Sequence, residues 1–199
     1  MVDVAVVPDR GVPQLSKLGK PVLVTCRKES HCIVMLKLNT QAPEFILPNI
    51  KGEKVSLSSQ KGKWIVLVFY RGSWCPMCNI QIANLARDYP KFQEVKAEII
   101  AISKDTPEKA VKTQKKSHSL FPILLDEKGG VVRLYGVLVE KREWKDMPAL
   151  MHGKKAGTYA MPAVFIVDPQ GVLRYSYIGR SYTDRPSNKD LLKTLKELQ

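Results

Sequence analysis

The stretch "FYRGSWCPMCNIQ", Phe69 to Gln81, sets two cysteines three positions apart directly behind an apolar run. That run, "WIVLVFY" (Trp64–Tyr70), is continuously apolar, as expected of a central strand covered on both faces. Pro76 suits the first turn of a helix, where a missing N–H costs nothing. Behind it, Cys78, Ile82, Leu85 and Tyr89 recur at spacings of four, three and four, which marks one face of a helix. Pro90 is expected to kink or end that helix. Cys75 therefore falls where a strand gives way to a helix, and Cys78 one turn further on.

This placement has chemical consequences. A helix start presents unpaired N–H groups and a partial positive charge, and both favour a thiolate over a thiol. Cysteines so placed have pKa values of about 3.5–7.5, against about 8.5 for a free one. C-x-x-C spacing also brings two sulfurs within disulfide reach across one turn. Cys75 is expected to be exposed and nucleophilic. Cys78, on the buried stripe, is expected to be the slower, resolving thiol. Two other readings compete. A zinc site needs about four ligands, usually in pairs. His31, His118 and His152 stand at no paired spacing, although Cys26, His31 and Cys32 could contribute. Two structural thiols could also adjoin by chance. Trp74 and Pro76, set between a buried strand and a helix, favour the redox pair. No metal and no tightly bound cofactor is expected.

Outward from this centre, strands and helices alternate. "FILPNIKGEKVSL" reads as a hairpin turning at Lys51 and Gly52. "EIIAIS" (Glu98–Ser103), "FPILLD" (Phe121–Asp126) and "AVFIVD" (Ala163–Asp168) read as strands. Thr106 and Pro107 read as the cap and first residue of a helix, and "GGVVRLYGV" as a short one. "DPQG" is a turn, followed by an antiparallel strand in "VLRYSYIG". Ser187 and Asp190 form a capping box for a last helix with Leu191, Leu192, Leu195 and Leu198 inside. The fold class is α/β, a mixed central sheet flanked by helices. Residues 138–160 break the pattern and read as a long loop or partly helical insertion near the site. Residues 1–39 read as an irregular extension with short apolar pieces at Val4–Val7, Pro21–Thr25 and Ile33–Leu38, the last a candidate edge strand. Residues 40–199 form the domain.

The composition of the 199 residues excludes other classes. A hydrophobic fraction of 44% supports a buried core. No apolar run approaches the roughly 20 residues of a membrane span. The formal charge of +13 is scattered along the chain rather than gathered in a block, so nucleic-acid binding is not favoured. Four cysteines do not make a disulfide scaffold. With no evident secretory leader, a reducing cytoplasmic setting is expected, where such a dithiol is catalytic or transient.

"NTQAPEFILPNIKGEKVSLSSQKGKWIVLVFYRGSWCPMCN" resembles the opening of redoxin domains. These are peroxiredoxins of the alkyl hydroperoxide reductase/thiol-specific antioxidant group and thioredoxin-like proteins. The nearest pattern is the peroxiredoxin-like subgroup that reads Tyr-Arg-Gly-x-Trp-Cys-Pro-x-Cys-Asn. "AISKDTPE", "FPILLD" and "PAVFIVDPQGVLRYSYIGRSYTDRP" continue the similarity to the C-terminus. The resemblance implies a thioredoxin-like fold and thiol-dependent redox activity. It also carries departures. Where a typical peroxiredoxin has Pro-x-x-x-Thr/Ser-x-x-Cys, this chain has Val68 and Gly72, and the family's second arginine aligns with Pro162. Arg71 and Ser73 are candidate substitutes, and Arg71 equally fits a solvent-facing strand end. Pro162, ahead of a core strand, could be cis or a simple strand-start proline.

These readings converge on a thiol–disulfide oxidoreductase using Cys75 and Cys78, with Trp74, Pro76, Pro162, Arg71 and Ser73 around the substrate. The alternative is a peroxiredoxin-like thiol peroxidase acting on hydrogen peroxide or organic hydroperoxides. A third reading is a redox-regulated binding module on the basic surface. Expected partners are a disulfide-bearing substrate or peroxide and an external thiol reductant such as a thioredoxin system, with no membrane. Cys26 and Cys32 are read as plain buried thiols, or as partners in exchange with the active-site pair.

Overall fold

A computed structural model describes residues 25–26, 32–33, 36–140 and 158–199. Two short strands, β1 (Thr25–Cys26) and β2 (Cys32–Ile33), pair antiparallel. The expected pieces at Val4–Val7 and, apart from Thr25, at Pro21–Thr25 lie outside the described residues, as do residues 34–35 and His31. The expected strand Ile33–Leu38 is strand only at Ile33; Leu36 and Leu38 instead pack half-buried on the core. The hairpin β3 (Ile46–Pro48) and β4 (Lys54–Ser56) forms around Lys51 and Gly52 as expected. The Asn49 side chain closes it by accepting from the Lys51 and Glu53 amides.

The domain then runs β5 (Trp64–Phe69), α1 (Pro76–Glu94), β6 (Ala97–Ser103), α2 (Pro107–Ser117), β7 (Ile123–Leu125) and α3 (Gly130–Leu134). It continues through β8 (Leu138–Glu140), β9 (Thr158–Ala160), β10 (Ala163–Val167), β11 (Leu173–Ile178) and α4 (Asn188–Leu198). The main sheet has the order β11-β10-β5-β6-β7. β5, β6 and β7 are parallel, and β10 runs antiparallel to both its neighbours. This is the mixed sheet with flanking helices expected from the sequence.

β5 is central because all of Ile65–Phe69 is buried. Burying each such side chain contributes about 1.5–3 kcal/mol relative to leaving it exposed. Its alternation divides the core. Val66, Val68 and Tyr70 face α1, α2 and α4, while Ile65, Leu67 and Phe69 face α3 and the β3–β4 hairpin. α1 packs with the predicted stripe of Cys78, Ile82, Leu85 and Tyr89, extended by Phe92.

Several expectations are corrected or narrowed. Of the two outcomes expected at Pro90, a kink or an end, the end does not occur: α1 continues to Glu94. A proline there removes one backbone bond, but the buried Tyr89 and Phe92 on either side hold the last turn to the core. Thr106 is the N-cap of α2 and Pro107 its first residue, as read, although the Thr106 side chain makes no capping bond. Residues 138–160 are not loop throughout: their ends are β8 and β9, paired antiparallel, and residues 141–157 lie outside the described residues. Of the two readings open at Pro162, a cis bond and a simple strand-start proline, the second holds: the bond is not cis and the residue is buried at the entry to β10. The Ser187–Asp190 capping box forms as read. No helix among the described residues is long and apolar enough to cross a membrane.

Candidate active site

The site is built where β5 ends. The Tyr70 amide still pairs with the Ile102 carbonyl, 3.1 Å away, so the chain leaves the sheet only at Arg71. The Ser73 amide then donates to buried Asp105, which stands just past β6, at 2.7 Å. Asn79, from the first turn of α1, donates to the Ser73 carbonyl at 2.9 Å. The Cys75 amide closes on the Gly72 carbonyl at 3.0 Å. The loop is therefore fixed from two sides before the helix begins. Burial raises the Asp105 carboxyl above its ordinary range, opposed by the Ser73 amide.

Gly72 explains one departure from the resembled pattern. Its φ is +144°, and a Cβ there would lie 2.7 Å from the Trp74 indole nitrogen and 2.9 Å from the Asp105 carboxylate. The space a threonine or serine would need is already filled.

Cys75 is the N-cap of α1, and its carbonyl accepts from the amides of Cys78 and Asn79. The two sulfurs lie 2.8 Å apart, with Cys78 as donor. Their protonation diverges. Cys75 is lowered to about 6, first by the Cys78 thiol donating to it. Burial opposes this, and the Cys78 amide, Arg71 and Arg185 assist. Cys78 is pushed well above the usual thiol range, first by burial and then by donating a hydrogen bond to Cys75. These shifts favour the thiolate at Cys75 and the thiol at Cys78.

Arg71 is buried, 2% exposed, rather than solvent-facing. Its Nη1 stands 4.0 Å from Cys75 Sγ. Its guanidinium carbon sits 4.5 Å from the Trp74 ring, 4.6 Å from Tyr159 and 5.9 Å from Tyr182. Cation–π contacts of this kind hold a charge in place with little water around it. Trp74 in turn meets Tyr159 edge-on, with ring centroids 5.9 Å apart.

That cover overturns one expectation: Cys75 is not exposed but wholly buried, at 0%. Strand-to-helix position fixes where the sulfur stands in the fold. It says nothing of Tyr159 from β9 or Tyr182 from the loop after β11, which pack with Trp74 over this end of the sheet. Arg71, Tyr159, Met161 and Tyr182 line the crevice above.

The other predicted residues are partly assembled. Ser73 acts through its backbone, and Pro76 is exposed at the first position of α1. Pro162 offers its carbonyl to the Gly179 amide at 2.8 Å and so ties down the loop carrying Tyr182. Side chains of Cys26 and Cys32 lie outside the described residues. Sequence reasoning missed Asp105, Tyr159, Tyr182 and Arg185. Arg185 Nη2 lies 3.9 Å from Cys78 Sγ. The only trace in the sequence was the position of "SYTDRP" between a strand and a capped helix.

Comparison with known proteins agrees with this construction. The model of the AhpC/TSA family matches residues 38–176. The thiol-disulfide oxidoreductase ResA of Bacillus thuringiensis subsp. konkukian is 35% identical over 104 residues, covering 52% of this chain and 60% of that protein. The chain thus spans less than two thirds of the length of that relative. A thioredoxin peroxidase of Trypanosoma brucei rhodesiense is 30% identical over 171 residues, covering 80% of this chain and 76% of that protein. Among solved structures, Enterococcus faecalis AhpC superposes with a TM-score of 0.67 at 22% identity, covering 81% of this chain and 92% of its own. A peroxiredoxin 6 of Arenicola marina gives 0.70 at 18%, covering 82% of this chain and 74% of its own. At these identities the structural likeness is one of fold.

Proposed function

The chain belongs to the AhpC/TSA family, and on that premise we propose that it is a thiol–disulfide oxidoreductase working through Cys75 and Cys78. The Cys75 thiolate attacks a substrate disulfide, one sulfur leaves as a thiolate, and a mixed disulfide remains on Cys75. Cys78 then loses its proton to the departing thiolate and attacks Cys75 Sγ. The second substrate thiolate leaves, and the enzyme holds a Cys75–Cys78 disulfide. Two electrons have passed to the substrate, and an external thiol reductant restores the dithiol.

One observation carries this reading: two sulfurs 2.8 Å apart at a helix start, where the surroundings lower the pKa of Cys75 and raise that of Cys78. The name of the ResA relative supports it. In this reading Trp74 and Arg71 wall the approach to Cys75, Ser73 and Pro76 set the loop, and Pro162 borders the substrate through the Gly179 loop. Residues 40–199 act as the redox domain and residues 1–39 as an extension.

A second reading is favoured by the burial of Cys75 beneath Arg71 and three aromatic rings. An enclosed thiolate beside a fixed cation suits a small substrate such as a peroxide. Cys75 would become a sulfenic acid, and Cys78 would condense with it, releasing water. The name of the thioredoxin peroxidase relative supports this arm.

Disulfide reduction and peroxide consumption measured in one reduced preparation separate the two. Efficient disulfide turnover that is lost in Cys75→Ser, with only slow generic oxidation by peroxide, is the expected result. Fast second-order sulfenate formation at Cys75 would replace the first reading with the second.

A further inference from the structure

Arg185 is assigned to neither reading, yet it is built against the resolving sulfur. It lies in the loop between β11 and α4. Its Nη1 donates to the Met77 carbonyl at 3.1 Å and to Gln81 Oε1 at 2.7 Å, both on α1. Its Nη2 donates to the Tyr182 carbonyl at 2.5 Å and stands 3.9 Å from Cys78 Sγ. Three hydrogen bonds thus aim one guanidinium at the sulfur that faces inward, as Arg71 is aimed at the other. The planar fork suits this, because several donors act at once in a fixed geometry.

We propose that Arg185 is the positioning residue for resolution, stabilising Cys78 as the thiolate it must become to attack Cys75. This rests on the dithiol reading above. Resolution needs an anion at a site that opposes one. Cys78 is fully buried, at 0% exposure, and it is held in the thiol form by burial and by its bond to Cys75. The ionisable groups that meet it are few. Cys75 faces it from the start of α1, and Tyr70 from the end of β5 with its hydroxyl buried. The Arg71 backbone also bonds to Cys78, and Arg185 approaches from the loop before α4. Arg185 is the side-chain charge that favours Cys78 ionisation. Once Cys75 is tied up in a mixed disulfide its own negative charge is gone. The like-charge opposition within the pair vanishes, while Arg185 remains in place. The Cys78 proton passes to the departing thiolate, the Cys78–Cys75 bond forms, and the bond from Cys75 to the substrate sulfur breaks.

The test uses the reduced full chain with Cys26 and Cys32 replaced by serine (the parent, called wild type below), so that only Cys75 and Cys78 report, and 4,4′-dithiodipyridine, an uncharged disulfide whose product thiopyridone is coloured. Attack by Cys75 releases one equivalent, and resolution by Cys78 releases the second. Arg185 is the last and smallest of the causes that lower Cys75, so in Arg185→Gln the first phase, read at about pH 8 where Cys75 stays ionised, is expected to stay within about threefold of wild type. The second is expected to slow about tenfold, with its pH midpoint about one unit higher, as for loss of a charge near a thiolate. Arg185→Lys should recover part of the second-phase rate and midpoint. A merely structural role would slow both phases and leave the midpoint in place. An unchanged second phase, or equal slowing of both phases with no shift, overturns the assignment of Arg185 alone. A wild-type protein that releases only one equivalent overturns the dithiol reading, and this assignment with it.

Discussion

The two faces of the sheet share one strand and do different work. On the face toward α3, β5 contributes Ile65, Leu67 and Phe69, and the centre is an aromatic cluster of Phe69, Tyr135 and Phe165. On the face toward α1, the same strand contributes Val66, Val68 and Tyr70, and that cluster ends in Cys75 and Cys78. Beyond it the chain adds Arg71, Asp105 and Arg185. Alternation along a single strand separates a purely apolar core from one that ends in ionisable chemistry. Stability can be concentrated on the first face while the second carries charges that cost free energy to bury.

The sharpest way to break that division is to damage the apolar face. Phe165→Ala removes a ring packed edge-on against Phe69 and Tyr135. It is expected to lower unfolding free energy by about 3–5 kcal/mol in denaturant titration. The titration midpoint of Cys75, followed by thiolate ultraviolet absorbance, should stay near 6. A midpoint displaced as far as in the next variant would show that the faces are coupled.

Arg71→Met acts on the other face. The charge 4.0 Å from Cys75 disappears while much of the packing volume stays. The Cys75 midpoint should rise by about one unit, with a smaller stability change than in Phe165→Ala. An unmoved midpoint would reassign the low Cys75 pKa to Cys78 and the helix start alone.

A third test is a pH dependence of stability confined to the reduced protein. Cys75 is lowered from 9.0 to about 6 on folding. Above pH 6 the folded chain has already lost a proton that the unfolded chain keeps to about 9. Reduced protein should therefore gain stability as pH rises from 6 to 9, and lose that contribution as pH falls through 6. Cys78, raised on folding, acts in the opposite sense at higher pH. Cys75→Ser should flatten the curve between 6 and 9, whereas Phe165→Ala should lower it without changing its slope.

How much of this was legible depends on how local each feature is. The continuous apolar run of β5, the stripe of α1 and the Ser187–Asp190 box are set by neighbouring residues, and the sequence shows them directly. The helix-start position of Cys75 follows from Pro76 and the strand before it. Its burial does not, because the rings above it come from β9 and the loop after β11. Arg185 was illegible for the same reason: an arginine beside a turn carries no sign of the sulfur it will meet. Pro90 misled because the cost of one lost hydrogen bond was read without the packing of Tyr89 and Phe92 that offsets it.

Gly72 carries one more consequence. With no room for a Cβ and a backbone angle that side-chain-bearing residues avoid, it is bound to Trp74 and Asp105 as a single unit. A hydroxyl at position 72 would force the indole or the carboxylate to shift. Restoring the threonine or serine of the resembled pattern therefore disturbs the Asp105 bond that fixes Ser73, and a compensating change at Trp74 or Asp105 is the expected companion of that substitution.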